Sequence, residues 1–115
     1  MKVKRNYETI FILDPLLEEE KINQEVEKVK GVITTKGGEV VHDDRWGIRK
    51  LAYNIKGKEQ GYYTLLVFRG GPDLPAELER IFKLNENCLR YFTVAASKAT
   101  LKKIEEGKAK SKEEV

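Results

Sequence analysis

Residues 39–69 read EVVHDDRWGIRKLAYNIKGKEQGYYTLLVFR, and this run decides the fold. A β-rich segment runs from Glu39 towards Ile55 and breaks at Lys56-Gly57-Lys58-Glu59-Gln60-Gly61. A second β-rich segment then spans Tyr62 to Arg69. Two such runs around a short Gly-containing turn predict a hairpin. The first arm slips in its pattern. Trp46 and Ile48 share one parity, while Leu51, Tyr53 and Ile55 share the other, and the switch falls at Arg49-Lys50. A β-bulge accounts for such a slip, because one extra residue turns every later side chain to the other face.

Each side of the hairpin carries one strand and one helix. Upstream, Tyr7 to Leu13 is a short strand bounded by Asp14-Pro15. A Glu- and Lys-rich stretch follows, in which Ile22, Val26, Val29 and Ile33 recur at helical spacing. Glu18 with Lys21, Glu25 with Lys28 and Glu27 with Lys30 fall three residues apart on the expected wet side. Asp14 or a near neighbour is the expected cap, and Gly37-Gly38 the stop. Downstream, Gly70-Gly71-Pro72-Asp73 ends the hairpin. A second helix starts near Leu74, with Leu78, Ile81 and Phe82 as its apolar stripe and Pro75 in its first turn. After Asn85-Glu86-Asn87, Cys88 to Ala96 is the last strand. The order β-α-β-β-α-β predicts an α+β, ferredoxin-like split βαβ fold, a four-stranded antiparallel sheet with two helices on one face.

The chain has 115 residues, 36% of them charged and 40% apolar, which suits one small domain with a heavily charged surface. The domain is expected over residues 1–97. Residues 98–115 hold six Lys, four Glu and no aromatic, and are expected to be a disordered tail, with Leu101 and Ile104 forming a frayed helical turn. No apolar run approaches the ~20 residues of a membrane span. The basic start Met1-Lys2-Val3-Lys4-Arg5 does not lead into a secretion segment. One cysteine, Cys88, excludes an internal disulfide and points to a reducing, cytoplasmic compartment.

Chemistry is scarce. His42 beside Asp43 and Asp44 lacks the second His or Cys pair of a metal site, so a solvated edge is expected. Cys88 reads as core packing, since no histidine stands near it in sequence. Gly37-Gly38 and Gly70-Gly71 fit no phosphate-binding fingerprint. The reading is a binding domain with no catalytic residues, no cofactor, no metal and no small-molecule substrate.

Two features point to partners. In this topology the first and third strands are central, and an open antiparallel face is ordinarily polar at alternate positions. Here both parities are apolar: Tyr7, Thr9, Phe11 and Leu13 against Ile10 and Ile12, and Tyr62, Leu66 and Phe68 against Tyr63, Leu65 and Val67. Something must cover the second face; parity alone leaves open which face that is. Basic residues are the other feature: Lys2, Lys4, Arg5, Arg45, Arg49, Lys50, Lys56, Lys58, Arg90 and Lys98, interleaved with Tyr7, Trp46 and Tyr91. Such groups can meet phosphates and stack on bases, with Arg5, Arg90 and Lys98 expected at one end or edge. The formal net charge is only +3, so an ordinary charged surface is the competing reading. The RNA-recognition-motif family shares the topology, but Gln60-Gly61-Tyr62-Tyr63-Thr64-Leu65 lacks its second stacking ring at Thr64 and is rejected.

Four motifs in order carry a closer resemblance: Arg5-Asn6-Tyr7-Glu8 with Asp14-Pro15; Arg45-Trp46-Gly47-Ile48-Arg49-Lys50-Leu51-Ala52-Tyr53-Asn54-Ile55; Gln60-Gly61-Tyr62-Tyr63; and Leu84-Asn85-Glu86-Asn87 followed by Arg90. Over roughly residues 4–97 the chain resembles the bacterial small-subunit ribosomal protein six family. The resemblance implies a structural, non-enzymatic component of the ribosome. It would bind small-subunit ribosomal RNA in the central platform domain together with ribosomal protein eighteen. On matching positions it implies RNA contacts at Arg5, Tyr7 and Arg90, with Lys98, Lys4, Arg49 and Lys50 beside them. The partner-facing candidates are Ile10, Ile12, Tyr63 and Leu65 from strand parity, and Trp46, Ile48, Leu51 and Tyr53 from the second-strand run. Asn54 stands where the family usually has Pro, and Leu89 where some members have a second basic residue. The alternative is a ferredoxin-like module that self-associates through its open sheet and binds no RNA.

Overall fold

The structure is a computed structural model, and it describes residues 4–98 and 101–102. Its elements are β1 (Arg5–Leu13), α1 (Glu19–Thr35), β2 (Glu39–Ile55), β3 (Lys58–Gly70), α2 (Leu74–Leu84) and β4 (Cys88–Ala95). The sheet order is β2-β3-β1-β4, every neighbouring pair antiparallel. This is the expected split βαβ arrangement, with β3 and β1 at the centre.

Helix α1 forms where the apolar stripe predicts it, and Ile22, Val26, Val29 and Ile33 are all buried. Its ends are built differently from each other. The N-cap is Glu18, without a side-chain cap; Asp14 instead accepts a hydrogen bond from the Leu16 amide at 3.0 Å and shapes the turn before the helix. Acidic Glu19 and Glu20 in the first turn complement the helix dipole. At the far end, the Gly38 amide donates to the Ile33 carbonyl at 2.8 Å and the Gly37 amide to Thr34 at 3.0 Å. That pair of bonds is a Schellman stop. Glu25 corrects the sequence reading. It is not on the wet side but 5% exposed, accepting hydrogen bonds from the Asn85 amide group and pairing with Lys21 at 3.3 Å. Its cation is four residues upstream at Lys21, not three downstream at Lys28.

The main core lies between helices and sheet, and it settles the parity question. Tyr7, Phe11, Leu13, Tyr62, Leu66 and Phe68 face the helices and pack with the α1 stripe and with Leu74, Leu78 and Phe82 of α2. Phe82 is the keystone: its ring lies 4.9 Å from Phe11 and 5.5 Å from Tyr91, centroid to centroid. Burying each such side chain stabilises by about 1.5–3 kcal/mol. Thr9 is fully buried on the same face, and its hydroxyl donates to the Phe92 carbonyl at 3.2 Å while accepting from Thr93 at 2.8 Å.

The hairpin is longer than expected. Strand β3 begins at Lys58, so only Lys56 and Gly57 remain as the turn, at φ 50° and 80°. Positive φ at both central residues is the type I′ signature, whose twist matches that of the flanking strands. Register shifts in β2 fall between Val40 and His42, Arg45 and Gly47, and Lys50 and Ile55. The middle one is a bulge at Trp46, with Gly47 at φ 83°, a conformation that only glycine adopts freely. It places Trp46 over Tyr63 on the open face, while Ile48 pairs with Tyr62 and takes the other side. The expectation that Trp46 and Ile48 share a face is therefore corrected.

Beyond this bulge the arm bends across the open face. Leu51 joins Ile12 and Leu89 in a second buried cluster, with Ile55 and Tyr63 against it. At the tip, the Lys56 ammonium donates to the Cys88 carbonyl of the far edge strand at 3.5 Å. Gly61 makes this possible. A Cβ there would stand 2.2 Å from Ile12 Cγ2, so only a residue without a side chain lets β3 and Ile12 come this close beneath Leu51.

Candidate binding face

The face away from the helices divides into a covered end and an open end. At the covered end, Ile12 and Leu51 are each 6% exposed, so these two candidates are occupied by one another and are corrected to core positions. At the open end, Ile10, Tyr63 and Leu65 are half-buried. Phe92 at 47% and Val94 at 46% exposure extend the strip along β4. Sequence reading missed both. The signal was their parity: they follow Arg90 at steps of two, hence on its face. Ile48 is exposed but lies on the opposite side of β2.

The cations fall into two groups at opposite ends. Arg5 pairs in register with Gly70 at the start of β1, and the Ala96 amide bonds to Asn6, which brings Lys4, Arg5 and Lys98 to one end. Arg90 pairs with Ile12, seven residues along β1 from Arg5. At ~3.3 Å per residue that is about 23 Å away. Of the expected end or edge, the edge holds and the end does not: Arg5, Arg90 and Lys98 share the β1–β4 side of the sheet, but Arg90 lies at the end where the hairpin arm carries Arg49 and Lys50. Tyr7 is corrected too. Its ring packs on Phe68 on the helix side, centroids 5.5 Å apart, and Tyr91 is held likewise on Phe82, so both rings lie on the side away from the open face.

Two cation–aromatic pairs flank the arm. The Arg49 guanidinium lies 5.2 Å from the Trp46 ring centroid, and that ring stacks at 6.2 Å and 16° on Tyr63. The Trp46 indole N–H donates to Asp44 at 2.8 Å. The Arg90 guanidinium lies 5.5 Å from the Tyr53 ring centroid and donates to its hydroxyl. Neither arginine, nor Lys50, forms an ion pair with another described residue. Other basic groups are committed. Lys30 and Arg45 both pair with Asp43, tying α1 to β2, and Lys58 pairs with Asp14 at 3.8 Å. Burial works to raise the Asp43 carboxyl, but Lys30 and Arg45 outweigh it and hold it below its ordinary value. Cys88 is buried, and burial pushes its thiol up to about 12, which makes it a poor nucleophile at neutral pH. Among the described residues no three His, Cys, Asp or Glu side chains gather as a metal site. No described helix is long and apolar enough to cross a membrane.

The face therefore combines an apolar strip with cations that form no ion pair with another described residue. A family model described as Ribosomal protein S6 matches residues 6–95, which spans β1 to β4. The chain belongs to the ribosomal protein S6 family. The small ribosomal subunit protein bS6 of Clostridium novyi is 50% identical over 94 residues, 82% of this chain and 99% of that protein. The Clostridium kluyveri protein of the same name is 50% identical over 92 residues, 80% and 97% of the two chains. In structure, the 30S ribosomal protein S6 of Thermotoga maritima superposes with a TM-score of 0.78 at 34% identity, covering 94% of this chain and 99% of that one. A chain of the S6 family is a structural constituent of the small ribosomal subunit, not an enzyme, and works in the cytoplasm as part of the ribosome.

Proposed function

We propose that this S6-family chain binds small-subunit ribosomal RNA in the central platform domain together with ribosomal protein eighteen, and so aids assembly of the subunit. One observation carries the reading: the apolar strip of half-buried Ile10 and Leu65 and exposed Phe92 and Val94 lies beside two arginines that have no carboxylate partner among the described residues. The strip suits a protein surface, since exposed contiguous apolar patches mark interaction sites. Half-buried Tyr63 continues it towards the arm. The arginines and Lys50 suit phosphates, as do Lys4, Arg5 and Lys98 at the other end, where the RNA would make a second contact.

The test is filter binding of the full chain to an in vitro transcript of small-subunit ribosomal RNA over a salt series, with and without protein eighteen. Affinity is expected to fall with salt at a slope of about 0.7–0.9 per phosphate contact, and to tighten when protein eighteen is added. Arg5→Ala and Arg90→Ala are each expected to weaken RNA binding. Phe92→Asp is expected to remove the gain from protein eighteen and leave RNA binding alone nearly intact. A salt-insensitive chain, or a stable homodimer by light scattering in which Phe92 is occluded, overturns the reading in favour of self-association.

A further inference from the structure

Resting on that reading, the geometry points to Trp46 and Tyr53 as positioning residues, each holding an arginine edge-out for an RNA phosphate, with Asp44 as the anchor behind Trp46. Sequence reasoning placed Trp46 and Tyr53 among surfaces a partner would touch directly. The structure gives their rings another task. Trp46 has Tyr63 on one side, at 6.2 Å and nearly parallel, and Arg49 at 5.2 Å. Its indole N–H is held by Asp44 at 2.8 Å. Anchored in this way, the indole is a fixed platform, and the guanidinium above it loses rotamer freedom before any RNA arrives.

Tyr53 holds Arg90 differently, chiefly through its hydroxyl at the edge of the ring. The ring lies 5.5 Å from the guanidinium carbon, and the Tyr53 hydroxyl accepts a hydrogen bond from Nη1. Nη2 and Nε of Arg90 have no partner among the described residues, so one edge of the fork stays available. A stacked guanidinium keeps its in-plane donors free, and these match the oxygens of a phosphate two at a time. An exposed arginine ordinarily loses much of its contact energy to the cost of immobilising a long side chain; here the immobilisation precedes binding.

The two arginines rise from opposite edges of the sheet. Arg49 comes from β2, and Arg90 from β4 beside Ile12. The bent arm joins them, because Tyr53 leaves β2 and reaches Arg90 over the Ile12–Leu51–Leu89 cluster. Three strand spacings of ~4.8 Å would hold β2 and β4 about 14 Å apart in a flat sheet, and the bend of the arm shortens that gap while leaving the two arginines as separate contacts, one phosphate each.

The test is a pair of double-mutant cycles, read by filter binding of the full chain to the small-subunit ribosomal RNA transcript over a salt series. Affinity for protein eighteen is measured separately by calorimetry. Arg49→Ala and Arg90→Ala should each reduce the salt slope by about 0.7–0.9, one phosphate apiece. Trp46→Leu and Tyr53→Leu should each weaken RNA binding by about 2–5-fold, the worth of an exposed cation–π contact of about 0.5–1 kcal/mol. The deciding result is coupling. Trp46→Leu added to Arg49→Ala, and Tyr53→Leu added to Arg90→Ala, should cost nothing further. Arg49→Lys should keep the salt slope but not the full affinity. Because Trp46 is half-buried, Asp44→Ala gives the same cycle without removing the ring; thermal midpoints confirm that each variant folds.

Additive losses in the cycles overturn the inference, since they assign the rings an independent contact with bases. So does a loss of affinity for protein eighteen with RNA binding unchanged, which assigns them to the protein interface. Both outcomes leave the ribosomal RNA reading intact. Failure of the unaltered chain to bind RNA in a salt-sensitive way overturns the two together.

Discussion

Adding one methyl group at Gly61 probes the hairpin arm most directly. In Gly61→Ala the new Cβ would stand 2.2 Å from Ile12 Cγ2, well inside contact distance, and 3.5 Å from Leu51 Cδ2. Ile12 is 6% exposed and pinned in the cluster with Leu51 and Leu89, so it cannot swing away freely. Overpacking of this kind costs about 1–3 kcal/mol. For a domain of this size that lowers the thermal midpoint by about 4–8 °C per kcal/mol. Ile12→Ala alone removes buried methyl groups and should cost about 2–5 kcal/mol. The combination is the informative case. With Ile12 cut back to Cβ, the nearest Ile12 atom to the new methyl is 3.7 Å away, an ordinary contact. The alanine at 61 should then be neutral or fill part of the cavity, giving a favourable coupling of about 1–3 kcal/mol. Urea denaturation of the four proteins measures this, with midpoints shifting at constant slope. If Gly61→Ala costs the same with and without Ile12, the close approach is not what requires glycine, and the account of the bent arm fails.

Three further outcomes follow from the same contacts. Glu25 is raised by burial, but hydrogen bonds from Asn85 and Lys21 and the Lys21 charge outweigh this and hold it below its ordinary 4.5. Its stabilisation is therefore complete above pH 4.5 and lost as the pH falls through the lowered folded value; Glu25→Gln should flatten the decline of stability below pH 4.5, measured by urea titration at stepped pH. Phe82→Ala should cost about 3–5 kcal/mol by urea denaturation, because the ring supports both Phe11 and Tyr91. Cys88, with its thiol near 12, should react with a disulfide reagent only at the rate of unfolding; rapid labelling of the folded chain at pH 8 would contradict its burial.

Helical periodicity was enough for α1, where Ile22, Val26, Val29 and Ile33 form the buried stripe the spacing predicts. The same rule misplaced Glu25. Periodicity ranks residues by polarity, and a carboxylate reads as wet unless its partner is known; that partner, Asn85, lies 60 residues away. In the strands, the surplus of apolar residues on both parities predicted two covered faces without saying what covers the second. The structure supplies half the answer from within the chain, since Leu51 closes one end.

What the sequence determined by itself was local and cumulative: six elements in order, their types, the stop at Gly37-Gly38, a hairpin between two βα units, and a run of motifs that marks the family. Each depends on neighbours within a few positions, where propensity and spacing act. What the tertiary structure decided was relative placement. A single bulge at Trp46 set which side chains share its face, and the bend of the arm brought Tyr53 onto Arg90, 37 residues away. Strand direction then put Arg5 and Arg90 at opposite ends of the sheet. Those relations depend on register, where an offset of one residue reverses every face, and nothing within one strand's own sequence records the offset of its neighbour.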